Sequence, residues 1–152
     1  LTVKEFFLLK SKNLFFKDSQ LLNSIDHELK SVDLDVGILN KQLVNLSRGQ
    51  LQRVLISWAI LGHPQVLLFD EPTAGIDIAG EESVYNMLHK LQDERGITIL
   101  MISHDLNVVF RYANNVLCIN KEKICYGEPM HALTSDQIKK LYGESAFYHH
   151  LH

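Results

Sequence analysis

Apolar and polar positions change their rhythm once along this chain, near Leu46. Before it, short helical patterns dominate. Thr2 and Glu5 form a T-x-x-E capping box ahead of Phe6-Phe7-Leu8-Leu9, which predicts a helix from the first residues. A second helix is expected from Asp18 or Ser19, with Leu21, Leu22, Ile25 and Leu29 on one face, and the stretch 33–41 around Gly37 reads as a loop. From Leu46 onward, helices and strands alternate. Arg48 to Leu61 is predicted helical, with Val54, Leu55, Trp58 and Ile60 inward and Gly62 and Pro64 as the stop. Val66-Leu67-Leu68-Phe69 is an unbroken apolar run, the pattern of a strand buried on both faces. A helix over Ala79–Glu94 ending at Gly96, a second buried strand over Ile97–Ile102 and a helix over Asp105–Ala113 follow. Val116–Ile119 and Lys123–Tyr126 read as a hairpin turning at residues 120–122, and a last helix runs from Ser135 to Tyr142, stopped by Gly143. The order predicts an α/β sandwich with a parallel sheet, residues 46–143, beside a helical subdomain, residues 1–45, with a tail at 144–152.

Composition narrows the function classes. The 152 residues suffice for one domain with a real core. The formal charge of −3 and the lack of a Lys/Arg stripe argue against a nucleic-acid partner. No apolar run reaches the ~18 residues of a membrane-spanning helix, so any membrane role is expected to be peripheral. Lys4, Glu5, Lys10 and Lys12 break up the N-terminal apolar residues, which is not the pattern of a signal peptide, and the start at Leu1 fits a fragment or processed product. Cys118 and Cys125 match no zinc or multi-disulfide pattern and are expected as two reduced thiols on neighbouring strands.

Three local patterns carry candidate chemistry. The apolar strand ends in Asp70-Glu71-Pro72. Ligands of open α/β sheets bind beyond the carboxyl ends of strands, and two adjacent acids there call for positive charge, which Mg²⁺ with nucleotide phosphates supplies. An ordinary acidic turn explains that motif nearly as well when it is taken alone. Leu46-Ser47-Arg48-Gly49-Gln50 precedes a long helix; Ser47 is a good N-cap, and Gly49 lets a phosphate approach the N–H groups at the positive end of the helix dipole. Alone, it is just a cap. Ser103-His104-Asp105 follows the second strand and places an imidazole where it can reach a phosphate oxygen or an attacking water, although an isolated loop histidine is usually a surface residue.

In combination and in this order, the three patterns resemble the ABC transporter ATPase family over nearly the whole chain. Leu46 to Gln50 resembles the family's signature motif, Val66 to Glu71 its Walker B strand, Ala74-Gly75-Ile76-Asp77 its D-loop, and His104 its switch histidine. The resemblance implies an incomplete P-loop NTPase-like fold, with ATP and Mg²⁺ as cofactors. It implies Asp70 as a Mg²⁺ ligand, Glu71 as general base or water-polarising group, and His104 as the sensor of the γ-phosphate. Ser47, Arg48, Gly49 and Gln50 fall where the family caps ATP held by the second subunit of a head-to-tail dimer, and Asp77 would lie across that interface. The helical stretch 1–45 is similar to the surface that docks on an integral-membrane permease, which implies a place on the cytoplasmic face of the plasma (inner) membrane.

Two departures from the family pattern matter. Arg48 occupies a signature position that is often glycine; its N–H survives, and whether the guanidinium meets phosphate or faces away stays open. The second is the lack of a G-x-x-x-x-G-K-[ST] loop: Gly75 and Gly80 are followed by Glu81-Glu82, whose charge repels phosphate. The Walker A loop, glutamine loop and adenine-stacking aromatic are therefore expected upstream of Leu1, and the chain alone is expected neither to bind ATP tightly nor to hydrolyse it. Gly75 to Gly80, Val116 to Asn120 and the Leu133-Thr134 and Leu141-Tyr142-Gly143 segments resemble ATPases of zinc and manganese importers. The tail Tyr148-His149-His150-Leu151-His152 has histidines spaced for Zn²⁺, but an unliganded tail is the favoured reading. His27, His63, His89 and His131 read as surface residues. A C-terminal lobe of a DNA-repair or chromosome-structuring ABC ATPase is the alternative; it calls for heptad repeats before the signature, which residues 1–45 lack.

Overall fold

The computed structural model describes residues 1–11, 18–120 and 123–142. It divides into two compact units, Leu1–Ile102 and Ser103–His152.

The first unit begins with helix α1 (Val3–Ser11), started by the expected capping box: the Thr2 N–H donates to Glu5 Oε2 at 2.7 Å and the Glu5 N–H to Thr2 Oγ1 at 3.2 Å. Helix α2 (Asp18–Ser31) follows, then two short 3-10 turns at Val36–Asn40 and Leu43–Asn45, where the sequence suggests a loop. Helix α3 (Arg48–Ile60) packs on both helices. Val3 and Phe7 of α1, Leu21, Ile25 and Leu29 of α2, and Val54 with Leu61 form one dry cluster with Ile38 and Leu39. The packing therefore runs through residue 45 without a break. Two inward assignments are corrected: Leu22 and Leu55 are exposed, while Ile56 and Ser57 are buried instead. The cause for α3 is that it meets α2 on one side and helix α4 (Ile78–Arg95) on another, so its buried stripe is wider than a single-face pattern predicts.

The end of α3 is held by Lys10, whose ammonium donates to the carbonyls of Trp58 (2.6 Å) and Ala59 (2.9 Å) and lies 4.6 Å from the Trp58 ring centroid. Phe6 stacks on the same indole, with ring centroids 5.2 Å apart. Partial burial pulls the Lys10 ammonium below its usual range. Two charged contacts tie the helices to α4. Arg95 meets the buried Glu28 carboxylate at 2.7 Å, and Arg53 bonds the Val32 carbonyl, Asp33 Oδ2 and Ser83 Oγ.

Strand β1 (Val66–Asp70) pairs in parallel with β2 (Thr98–Ile102), in the register Val66 with Thr98 through Asp70 with Ile102. Helix α4 makes the crossover between them and ends at Gly96, whose φ of 64° is the left-handed cap that glycine adopts without strain. The expectation of burial on both faces is corrected. Leu67 is buried, but Val66, Leu68, Leu100 and Ile102 are exposed, because this sheet has two strands and the described residues cover one of its faces.

In the second unit, Asp105 caps helix α5 (Leu106–Tyr112), accepting the Asn107 N–H at 2.8 Å. Strands β3 (Val116–Asn120) and β4 (Lys123–Gly127) form the expected antiparallel hairpin, whose turn residues 121–122 lie outside the described residues. Cys118 and Cys125 are directly opposed, with Cα atoms 4.9 Å apart, and are joined as a disulfide. That corrects the expectation of two reduced thiols: register brings the side chains within bridging distance, and a compartment-based expectation carries no such geometry. A short helix α6 (Pro129–Ala132), not foreseen, precedes α7 (Ser135–Tyr142). Gly143 and the tail histidines lie outside the described residues.

Candidate functional site

The first unit carries most of the candidate residues, at the carboxyl end of β1. Asp70 is the last strand residue, opposite Ile102, and Glu71 follows it with its N–H donating to the Ile102 carbonyl at 3.1 Å. Both acids are exposed. Glu71 has φ 44°, a left-handed conformation that is strained for any residue carrying a Cβ, on the order of 1–3 kcal/mol. The strain is held by the bond to Ile102 and by the turn that follows. Within that turn the Ala74 N–H donates to the Glu71 carbonyl at 3.1 Å and the Ile76 N–H to the Thr73 carbonyl at 3.0 Å. Thr73 is buried and anchors the turn to α4, its hydroxyl 2.6 Å from Glu81 Oε1 and 3.0 Å from the Tyr85 hydroxyl.

Asp77 ends the turn as the N-cap of α4, with Oδ1 accepting the Gly80 N–H at 2.8 Å. It is exposed, and it has a cap role beside the interfacial one implied by resemblance. Gly80 therefore belongs to a helix start, not to a phosphate loop.

The start of α3 is a full capping box. Ser47 Oγ accepts the Gln50 N–H at 3.2 Å and Gln50 Oε1 accepts the Ser47 N–H at 3.2 Å. The N–H groups of Arg48 and Gly49, in the first turn, have no intrahelical acceptor by helix geometry and point out of the helix start. A Cβ at Gly49 would meet nothing within 4 Å, so the space in front of it is open. The sequence leaves the Arg48 guanidinium undecided. In the structure its Nη1 donates to the Gly75 carbonyl at 2.8 Å, joining the start of α3 to the turn after β1. Gly75 is not foreseen as a site residue in its own right, although a glycine inside an acid-rich turn is a usable signal.

His104 is exposed and belongs to the second unit, two residues past the end of β2 in sequence. His27, His89 and His131 are exposed beside acidic neighbours.

The donor set bears on a metal. Among the described residues no group of three or more His, Cys, Asp or Glu side chains gathers as a cage. Asp70 and Glu71 offer carboxylate oxygens at one exposed strand end, which fits Mg²⁺, an ion that keeps several waters and takes further ligands from phosphates. Among the described residues no helix is long and apolar enough to cross a membrane.

Comparison with known proteins agrees with this arrangement. The sequence profile of the ABC transporter family matches residues 1–74. A zinc import ATP-binding protein from Hydrogenovibrio crunogenus is 37% identical over 150 residues, spanning 94% of this chain and 57% of its own length. An inward-facing metal-chelate type ABC transporter superposes with a TM-score of 0.85 at 29% identity, over 93% of this chain and 58% of that one. A dimeric bacterial ABC transporter cassette superposes with a TM-score of 0.66 at 29% identity, over 77% of this chain and 51% of that one. The chain thus spans a little over half the length of such relatives. Its sequence and its fold, an incomplete P-loop NTPase sandwich, place it in the ABC transporter ATPase family.

Proposed function

We propose that the protein containing this chain is the ATP-hydrolysing subunit of an ABC importer for metal ions, zinc or manganese. The observation that carries the reading is the strand end at which Asp70 and a strained Glu71 emerge together, in the same unit as a Ser47-capped helix start with open N–H donors. Strain of this kind persists where the surroundings over-determine it, and acids at the carboxyl end of a parallel strand sit where nucleotides bind. The zinc-import relative and the metal-chelate neighbour support the metal.

ATP with Mg²⁺ supplies, when bound, a phosphoanhydride whose terminal phosphoryl goes to water. Asp70 then contributes a carboxylate to the metal, and Glu71 orients the attacking water and draws its proton. His104 contacts the terminal phosphate through its imidazole and senses its loss. Ser47, Gly49 and Gln50, with the helix dipole behind them, cap the nucleotide of a second subunit in a head-to-tail dimer. Asp77 keeps α4 started while facing that partner. Closure by two nucleotides and reopening after hydrolysis is a population shift driven by differential affinity. Residues 1–45 dock on the integral-membrane permease, which holds the subunit at the cytoplasmic face of the membrane; no nucleic acid takes part. The tail histidines play no part in this reading.

The test is Mg²⁺-dependent ATP turnover by the full-length protein with and without Glu71→Gln. A loss of about 100-fold or more is expected for removing a general base. Turnover that survives the substitution would contradict the assignment of Glu71 and with it the proposed site.

A further inference from the structure

We infer that Arg48 is a positioning residue, which fixes the turn 71–77 of its own chain to the start of α3 and so holds Glu71 at its working orientation. The inference rests on the ATPase reading above and deepens it.

The geometry begins with a long-range bond. Arg48 and Gly75 are 27 residues apart, yet Nη1 of the first donates to the carbonyl of the second at 2.8 Å. The fit is close on both sides. Gly75 has φ 76°, a left-handed conformation suited to glycine, and a Cβ there would stand 2.2 Å from Nη1 and 3.1 Å from Cζ of Arg48. A side chain at residue 75 would push the end of the guanidinium aside, a shift the flexible arginine stem allows at the cost of this bond, and the left-handed φ would be strained as well. A planar, always-charged donor also matches a backbone carbonyl better than a mobile ammonium does.

The bond then has somewhere to act. Gly75 lies in the turn whose first carbonyl, that of Glu71, is held by the Ala74 N–H, and whose middle is anchored through Thr73 to Glu81 and Tyr85 of α4. One end of the turn is the strained Glu71; the other is Asp77, the cap of α4. Arg48 adds a tie to α3, so the phosphate-capping helix start and the acid-bearing turn move as one body. Without the tie, the left-handed Glu71 has fewer constraints opposing relaxation. One of the five N–H donors of the guanidinium thus goes to a carbonyl of its own chain, and mixed dimers separate this tie from phosphate capping.

The experiment uses mixed dimers of the full-length protein, in each of which one chain carries Glu71→Gln and the other keeps Glu71. Arg48→Ala is placed either on the chain that keeps Glu71 or on the chain that carries Glu71→Gln. The expected result is a fall in kcat of about 10-fold, with KM for ATP changed less than about 2-fold, when Arg48→Ala shares a chain with Glu71, and a clearly smaller fall in the other arrangement. Arg48→Lys on the chain that keeps Glu71 should restore part of kcat, since an ammonium can still donate once to Gly75. A larger fall when Arg48→Ala accompanies Glu71→Gln, or a rise in KM in place of a fall in kcat, would overturn the inference in favour of direct phosphate capping. Equal or absent effects in the two arrangements would overturn it as well. Full turnover in a dimer of two Glu71→Gln chains would instead be a failure of the underlying ATPase site, and the inference would fall with it.

Discussion

Phe7 and Leu68 are both large apolar residues in the middle of regular elements, yet Phe7 is fully sealed from water and Leu68 is 72% exposed. The difference lies in what surrounds each element. Helices α1, α2 and α3 meet one another through Val3, Phe7, Leu21, Ile25, Leu29 and Val54, and their shared core is closed by the chain's own residues. Strands β1 and β2 pair with each other, and one face of the pair presents Val66, Leu68, Leu100 and Ile102. A two-stranded parallel sheet is not a self-sufficient unit, because parallel sheets are stable when both faces are covered. The contrast teaches that the helical part and the acid-bearing part of this unit differ in what they need from outside. One buries its apolar side chains; the other leaves a row of them exposed.

The largest test of that contrast is in the sealed region. Phe7→Ala removes a fully buried ring and should lower the stability of the chain by about 3–5 kcal/mol, read from urea unfolding. A loss below about 1 kcal/mol would mean that the helical core is as loosely filled as the sheet face. The next effect is electrostatic. Glu28 is 2% exposed and its carboxylate is 2.7 Å from Arg95. Arg95→Met leaves a buried acid without its strongest partner and should cost about 3 kcal/mol, with most of that recovered in the double variant that also carries Glu28→Leu. Absence of recovery would place the loss in the packing of the Arg95 stem.

On the sheet the expected sign of the comparison reverses. Leu68→Lys on the exposed face should change the stability of this chain by less than about 0.5 kcal/mol while reducing its self-association, measured by sedimentation, since it breaks an exposed apolar patch. In a longer protein that covers this face, the same substitution should cost about 2–3 kcal/mol, because the lysine would then replace a buried leucine. Equal effects in the two proteins would show that nothing covers this face.

Local chemistry was legible in the sequence wherever neighbours in the chain decide the structure. The Thr2–Glu5 box, the Ser47 cap, the Gly96 stop, both parallel strands and the hairpin follow from residues within a few positions of each other. Exposure was not legible. Val66-Leu67-Leu68-Phe69 reads the same whether one face or two are covered, and Leu22 and Leu55 satisfy a helical period although no described neighbour buries them. At the candidate site, the acids and the helix start were visible as motifs, because strand ends and caps are local. The Arg48–Gly75 bond and the buried Thr73 anchor were not, since they join segments that only the fold brings together. The φ of Glu71 had no signal at all, glutamate being a residue from which a left-handed conformation is not expected.

The smallest effect tests whether the exposed rim of the sealed region depends on charge. One charged group at its rim is Glu5, which is fully exposed and whose carboxyl is held below the usual 4.5, first by the Thr2 backbone N–H and then by the Thr2 hydroxyl. A depressed folded value means that the unfolded chain binds the proton more readily, so the contribution is complete above the unfolded value and is lost as pH falls through the folded one. Glu5→Gln keeps the shape and acceptor of the capping box while removing the charge. The variant should therefore melt slightly below the parent at neutral pH, and the gap should close as the solution is acidified past the folded value. Added salt should shrink the gap as well, because an exposed carboxylate at a helix start is screened. A gap that persisted unchanged in acid would assign the difference to hydrogen-bond geometry in place of charge, so that the rim of the helical region would contribute through its capping bonds and not through the Glu5 charge.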